Sequence, residues 1–413
     1  AAWTDDTDHA LLIILSYLRH NGKQLSPKDV AHRLHVWVGQ GLRCLDRPPC
    51  GLGATVGTTQ ANELLLHREY DFQVVRSIGY LDNPAQVAYD CWVKSNRTVA
   101  PNGSLMRTHP LGIICLASTL PETFQIAADF SAITHADPRC IVSCCAVTGL
   151  IRGILRGEVL NEENVDEIIA EAFAWVDGWV RRRAGGASGS DCTPEENELH
   201  EQGALLEMYE YTRHANATSF KELELDDSRK MGYVYKTFGA AVLALRLGMR
   251  QTGYRLKDRS DDGAAKPPHA TDVFEKVITE LTFEGGDADT NACVAGALLG
   301  CLFGYNSLPP QWRDGMVRLD WVVGKCEALN QMVGVQASCV DTGQRPRYRG
   351  SQDPDTAIDG GKGLLNAEEL NKREREFIYR YLLRSNEATE QEKGLEAAKS
   401  VGIFSKLKEY LSK

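Results

Sequence analysis

Apolar residues recur every three or four positions in several segments of this chain, which is the spacing of an amphipathic helix. In residues 8–19, leucines at positions 11, 12, 15 and 18 form one stripe, and a glycine follows as a stop signal. The pairs Ser26-Pro27 and Asn83-Pro84 each combine a capping residue with a proline suited to the first helical position. Further helices are predicted over residues 163–180, 230–249, 272–282 and 292–305.

No set of segments shows the alternation of apolar and polar residues that a sheet requires, so the chain is predicted to be all-α. The apolar stretch 292–305 is broken by Gly296, Gly300 and Gly304. This spacing predicts a core helix that lets its neighbours approach closely. No apolar run reaches about 18 residues, so no transmembrane helix is expected.

Polar, glycine-rich stretches divide the chain. Loops are predicted at residues 183–193, 255–271 and 341–363. The expected units are a main domain over residues 1–335, a polar linker or loop over 336–364, and a helical extension over 365–413. The simplest role for the extension is docking of a helix pair, and binding of a partner is the alternative.

Composition narrows the possible settings and partners. The 413 residues are 43% hydrophobic and carry a net charge of −10, which argues against general nucleic-acid binding because that requires a basic face. The twelve cysteines include no CxxC pair, so we expect reduced thiols and a cytoplasmic or nuclear location. We expect no membrane association, and a monomer is favoured.

Two short acidic motifs stand at predicted helix starts. The first runs from Trp3 to Asp8, and the second from Gly285 to Asn291. Carboxylates brought together repel one another unless a cation lies between them. Since the motifs offer oxygen atoms and no thiolate, Mg²⁺ or Mn²⁺ fits better than Zn²⁺, and His9, one turn further on, is a poor zinc ligand. Taken singly, each aspartate would more often be a helix cap or dipole partner.

Further segments give these motifs a family resemblance. The matching segments are residues 4–7, 51–57, 102–107, 134–135, 232–237 and 285–290. They resemble the ADP-ribosylglycohydrolases, which include the dinitrogenase-reductase-activating glycohydrolases and the animal ADP-ribosyl-acceptor hydrolases. The resemblance covers roughly residues 1–335. It implies a compact single-domain orthogonal helical bundle with a dimetal cleft, followed here by a C-terminal helical extension.

The resemblance also implies two Mg²⁺ or Mn²⁺ ions as cofactors. The implied metal ligands are Thr4, Asp5, Asp6, Asp287, Asp289 and Thr290. Of these, Asp289 is expected to bridge the ions, and Asp5, Asp6 and Asp287 are the expected catalytic carboxylates. The metals would grip the hydroxyls of the distal ribose and position a water near its anomeric carbon, which suits the oxocarbenium-like state of glycoside cleavage.

Ligand-binding roles follow from the same resemblance. The implied residues are Gly51, Gly53, Gly57, Asn102, Gly103, Ser104, His135 and Tyr233. The segment Asn102–Ser104 would be a backbone amide cradle for a diphosphate, or else an ordinary turn. His135 would lie near the ligand or be structural, and Tyr233 would be an adenine platform or a core aromatic. The glycines at 51–57 would form a binding loop or a plain one.

One departure concerns the start of the chain. Family members usually begin with a Gly-Asp-Ala-x-Gly helix and a glutamate that reaches the second metal, whereas this sequence begins at Ala1, three residues before Thr4. We expect a processed or incompletely represented chain. The alternative is that the second metal lacks a ligand.

The leading hypothesis for function is hydrolysis of the bond between ADP-ribose and an acceptor, with ADP-ribose or an ADP-ribosylated protein as the partner. One alternative is a catalytically inactive ADP-ribose-binding or structural relative. Another is a hydrolase of O-acetyl-ADP-ribose or a related nucleotide sugar. The acceptor stays open among arginine, serine, polymer and small molecules, although residues 232–234 look more like the bacterial arginine-directed type than the animal serine-directed one.

Overall fold

The structure is a computed structural model that describes residues 3–49, 70, 73–186, 204–253, 269–335 and 348–376. Within these ranges the regular structure is helical, with two isolated β-bridges and no strand, so the predicted all-α class is confirmed. The α-helices include α1 (Asp5–Arg19), α2 (Pro27–Gln40), α3 (Pro84–Lys94), α4 (Leu105–Thr108), α5 (Pro110–Ile114), α6 (Leu120–Ala132), α7 (Pro138–Arg156), α8 (Glu162–Gly186), α9 (Met208–Ala215), α10 (Val234–Thr252), α11 (Ala270–Phe283), α12 (Ala288–Phe303), α13 (Pro310–Arg313) and α14 (Leu319–Met332).

Several helices begin where the sequence places a capping residue. The side chain of Ser26 accepts a hydrogen bond from the Asp29 amide at the start of α2. Asn83 accepts one from the Gln86 amide at the start of α3. Each side-chain oxygen satisfies an amide that has no partner inside its helix. Both predicted helix starts are therefore confirmed.

Two predicted loops begin or end in the wrong place. Helix α8 continues to Gly186 rather than giving way to a loop at residue 183, because the arginines at 181–183 are good helix formers. Helix α11 begins at Ala270, inside the loop predicted over 255–271. The remainder of both loops, residues 336–347 and the chain beyond residue 376 lie outside the described residues.

The core consists of two hydrophobic clusters. The larger one surrounds α7, which is buried over nearly its whole length and packs against α6, α8, α10 and α12. The smaller cluster includes the apolar residues of α1 and α2. Helix α7 is long and apolar enough to cross a membrane by length and composition, contrary to the expectation of no such stretch. Since 94% of its apolar window is buried within the fold, it has the environment of a core helix.

The structure contradicts the interpretation of Gly296, Gly300 and Gly304 as close-packing positions. A Cβ atom added at any of the three would meet no described atom within 4 Å apart from its neighbours in the chain and the nearby helix backbone. The contacts of α12 with the core are made instead by another stripe of the helix, which includes Val294, Leu298 and Leu302. The glycine spacing is therefore not a packing signal among the described residues.

The segment 348–366, which we call the C-terminal segment, packs on the helices at the start of the chain. The Arg33 guanidinium of α2 donates to the carbonyl of Thr356 at 2.8 Å, and Gln40 exchanges two hydrogen bonds with the backbone of Leu365. Gly350 lies so close to α1 that an added Cβ would collide with the carbonyl of Leu18. The C-terminal segment thus braces the helix whose first turn carries the acidic motif.

Candidate metal and ligand site

The first acidic motif lies at the start of α1. Thr4 is the N-cap residue, and its hydroxyl donates to an Asp6 carboxylate oxygen at 2.8 Å. Asp5 and Asp6 occupy the first helical turn, and their exposed fractions are only 7% and 1%. A helix N-terminus favours negative charge, but two buried carboxylates need more compensation than a helix dipole supplies.

The second acidic motif lies at the start of α12, after a turn that requires glycine. Gly285 and Gly286 have φ values of 75° and 67°, a region that L side chains rarely adopt. A Cβ atom on Gly286 would also collide with the carbonyl of Leu225. The turn directs the first residues of α12 toward α1, so that Asp289 meets the first motif.

The two motifs form one acidic cluster. Carboxylate oxygens of Asp5, Asp6 and Asp289 all lie within 4.8 Å of one another. Burial raises the pKa of Asp6, and the negative charge of Asp289 raises it further, while hydrogen bonds from Thr4 and Thr290 lower it in part. Burial and the neighbouring Asp289 carboxylate therefore both disfavour the charged form of Asp6, and a bound cation would favour it.

Asp287 lies beside this cluster. Burial raises the pKa of its carboxyl group to about 7; the hydrogen bond from Asn102 opposes that rise, and the nearby Asp289 carboxylate adds to it. Its Oδ2 atom accepts a hydrogen bond from Asn102 Nδ2 at 2.8 Å. Asp287 thus interacts electrostatically with the cluster and is also fixed by a hydrogen bond from the Asn102 side-chain amide.

The donor atoms fit a hard divalent cation. Every group brought together is a carboxylate or hydroxyl oxygen, and Thr290, which is 3% exposed, adds a hydroxyl beside Asp6. The thiol of Cys293 stands one turn along α12, and burial raises its pKa well above the ordinary value, so it stays protonated. An oxygen-only set without a thiolate suits Mg²⁺ or Mn²⁺.

A hydrogen-bond chain behind the cluster was missed by the sequence reasoning. Asn102 Nδ2 donates to Asp287 and also to the Thr237 hydroxyl at 2.9 Å. Thr237 in turn donates to Asn291 Oδ1 at 2.8 Å. The chain joins the 102–104 loop, α10 and α12, and it gives the Asn102 side chain a position facing a carboxylate rather than a sugar or phosphate. No local signal could reveal it, because the partners are 185 residues apart.

The predicted diphosphate loop, residues 102–104, is fixed beside the site by its backbone. An isolated antiparallel bridge pairs Pro101 with Tyr233, and the Asn102 amide donates to the carbonyl of Gly232 at 3.0 Å. The Ser104 hydroxyl faces the interior, where it accepts a hydrogen bond from Ser131 Oγ at 2.9 Å. The side chain of Ser104 is therefore part of the core, and only its backbone remains for a ligand.

The other predicted ligand residues have different surroundings. His135 is 1% exposed, and its Nδ1 atom lies 2.7 Å from the Thr134 hydroxyl. The Tyr233 hydroxyl donates to Glu207 at 3.3 Å, and the Arg139 guanidinium lies over the Tyr233 ring, 5.9 Å from its centroid. The Tyr233 side chain thus belongs to a half-buried aromatic and charged cluster. Gly51, Gly53 and Gly57 lie outside the described residues.

Comparison with known proteins gives consistent matches. The sequence model of the family described as ADP-ribosylglycohydrolase matches residues 1–339. The chain is 24% identical over 336 residues to the ADP-ribosylarginine hydrolase Tri1 of Serratia proteamaculans (strain 568), which covers 80% of this chain and 67% of that protein. Among solved structures, a chain of an ADP-ribosylglycohydrolase-related protein complex is similar over 80% of this chain and 82% of its own length, with 20% identity and a TM-score of 0.42.

Proposed function

Because the chain belongs to the ADP-ribosylglycohydrolase family, we propose that it is a metal-dependent hydrolase that releases ADP-ribose from an acceptor. The observation that carries the proposal is the cluster of the buried Asp5 and Asp6 with the half-buried Asp289, whose carboxylate oxygens lie within 4.8 Å of one another. Such a cluster is costly to a fold unless it serves a cation or a developing positive charge.

The residues divide the work between cation and substrate. Thr4, Asp5, Asp6, Asp287, Asp289 and Thr290 are the groups that would hold the ions. When bound, a pair of Mg²⁺ or Mn²⁺ ions supplies Lewis acidity and a fixed point for sugar hydroxyls. The surrounding carboxylates favour the positive charge that develops on the ribose ring as the glycosidic bond breaks. Water adds at the anomeric carbon, and the acceptor leaves with a proton.

For the acceptor, we propose arginine. The support is the alignment with a protein named as an ADP-ribosylarginine hydrolase, which extends over 80% of this chain. The guanidinium of an ADP-ribosylated arginine is a cation, and the net charge of −10 favours its approach. A serine acceptor lacks this charge.

The test compares peptides that carry ADP-ribose on arginine or on serine. We expect release of ADP-ribose from the arginine peptide, loss of release after chelation, and recovery with Mg²⁺ or Mn²⁺. An Arg152→Met variant, altered far from the cluster, serves as a control and should match the unmodified protein. Full activity in metal-free protein would refute the metal dependence, and preferential cleavage of the serine peptide would refute the acceptor.

A further inference from the structure

Arg107 differs from the other buried arginines of the described residues. Five of them form ion pairs with carboxylates: Arg33, Arg43, Arg139, Arg152 and Arg246. Arg107 is 0% exposed and donates only to neutral oxygens, those of Gly103, Phe130 and Thr134. No described carboxylate lies within ion-pair distance of its guanidinium. A fully buried cation without a counter-charge is costly, so its retention needs another explanation.

The contacts of Arg107 tie together two predicted ligand segments. Its guanidinium donates to the carbonyl of Gly103 at 3.2 Å, in the loop of residues 102–104. It also donates to the Thr134 hydroxyl at 2.7 Å, and that hydroxyl lies 2.7 Å from His135 Nδ1. One side chain therefore fixes both the loop and the hydroxyl that holds His135.

The contact with Gly103 determines where an amide points. In a trans peptide, the carbonyl and the following N–H lie in one plane and point in opposite directions. Since the Gly103 carbonyl faces Arg107, the Ser104 N–H faces away from it. Among the described residues, the amides of Gly103 and Ser104 donate to no protein acceptor. These are the groups that a phosphate oxygen would accept from.

We propose that Arg107 is a positioning residue for the 102–104 loop and that the diphosphate of a bound ADP-ribosyl group neutralises its charge. The proposal rests on the proposed function for its ligand. A phosphate held by the Ser104 amide would lie about 8 Å from the guanidinium, one peptide group and two hydrogen bonds away. At that distance in a protein interior, one unit charge changes affinity roughly tenfold to thirtyfold.

The test separates charge from packing with two variants. Arg107→Lys keeps the charge, and Arg107→Gln keeps two donors but removes the charge. Binding of ADP-ribose and ADP is measured by calorimetry, and binding of neutral adenosine by NMR titration. We expect Arg107→Gln to bind ADP-ribose and ADP at least about tenfold more weakly, with adenosine affinity changed less than about twofold, and Arg107→Lys to recover most of the loss. The salt dependence of ADP binding should also become shallower in Arg107→Gln.

Matched controls separate the loss of the Arg107 charge from a general effect of removing a buried arginine and from unfolding. Arg152→Met removes another buried arginine outside the site and should leave all three affinities unchanged. Thermal unfolding confirms that each variant is folded. If Arg107→Gln does not fold, Arg107→Met, which also removes the charge, takes its place in the comparison with Arg107→Lys. Equal weakening of ADP and adenosine binding, or none, would overturn the proposal.

Failure of the proposed function gives a different result. If the unmodified protein cleaves neither ADP-ribosylated peptide but binds ADP in an Arg107-dependent way, the hydrolase proposal fails and the role of Arg107 stands. If the protein cleaves the arginine peptide but ADP binding does not depend on Arg107, the reverse holds.

Discussion

At the scale of single residues, Asn102 has a role that could not be predicted from its position in the sequence. Its amide holds the Asp287 carboxylate and the Thr237 hydroxyl at once. We expect Asn102→Ala to weaken Mn²⁺ binding about tenfold to a hundredfold, because an outer-shell partner of a metal ligand is lost. Asn102→Asp should weaken it further by placing a second carboxylate against Asp287. Paramagnetic titration measures the Mn²⁺ affinity of both variants, with Asn164→Ala as a control outside the site. An unchanged Mn²⁺ affinity in Asn102→Ala would contradict the role of Asn102 in holding Asp287.

Asp289 and Thr290 provide a second comparison within one helical turn. Asp289→Asn removes a charge from the centre of the cluster, whereas Thr290→Ala removes a neutral hydroxyl that a water can replace. We therefore expect the rate of ADP-ribose release to fall by several orders of magnitude in Asp289→Asn and about tenfold in Thr290→Ala. Similar residual rates in the two variants would rule out the bridging role.

The acidic residues could be identified from the sequence because their chemistry is local. Asp5, Asp6 and Asp289 are carboxylates at helix starts, and the structure brings them together. The sequence could not show that Ser104 turns its hydroxyl into the core, or that Arg107 has no carboxylate partner among the described residues. Both facts depend on which helices surround the loop, and local spacing carries no such information.

At the scale of elements, the turn before α12 controls whether the acidic motifs meet. Gly285 and Gly286 both have positive φ, but only Gly286 lacks room for a Cβ atom. We expect Gly285→Ala to cost about 1 kcal/mol of unfolding free energy through backbone strain, and Gly286→Ala to cost more, roughly 2–4 kcal/mol. Gly286→Ala should also weaken Mn²⁺ binding. Urea unfolding of the pair provides the comparison, and equal costs would mean that the close approach to Leu225 is unimportant.

Some helices with an apolar stripe or a cap were predicted, whereas α6, despite its capping box of Thr119 and Glu122, and the buried α7 were not. Helices α2 and α3 begin with side-chain caps that can be recognised in the sequence. Helix α7 is buried on nearly all sides, so its apolar residues show no single stripe of helical period. Its identity follows from packing between α6, α8 and α10, which a single segment does not encode.

At the scale of the whole molecule, the acidic cluster links metal binding, pH and stability. The pKa of Asp287 is raised from 3.8 to about 7, so the folded chain binds this proton more tightly than the unfolded chain does. In metal-free protein, the contribution of Asp287 to the free energy of unfolding therefore decreases as pH rises from about 4 to about 7. Mg²⁺ or Mn²⁺ should raise the melting temperature strongly at pH 8 and little at pH 5, because protons compete for the carboxylates. Scanning calorimetry with chelator or with Mn²⁺ at both pH values measures these melting temperatures. In the control Asp287→Asn, the melting temperature of metal-free protein should depend less on pH. An equal rise in melting temperature with Mn²⁺ at both pH values would contradict the prediction.

The C-terminal segment limits which part of this gene could be moved into another gene and still encode a folded protein. The family likeness stops at residue 339, yet Gly350, Thr356 and Leu365 close over the helices that carry the first acidic motif. A recombination event that moved only the family-like stretch into another gene would remove the Thr356 carbonyl from the Arg33 guanidinium, which would keep, among the described residues, only its bond to Asp29, and would expose the side of α1 next to Leu18. The family-like stretch alone therefore lacks contacts that support α1 and α2, so a gene fusion would need to carry residues 348–366 as well.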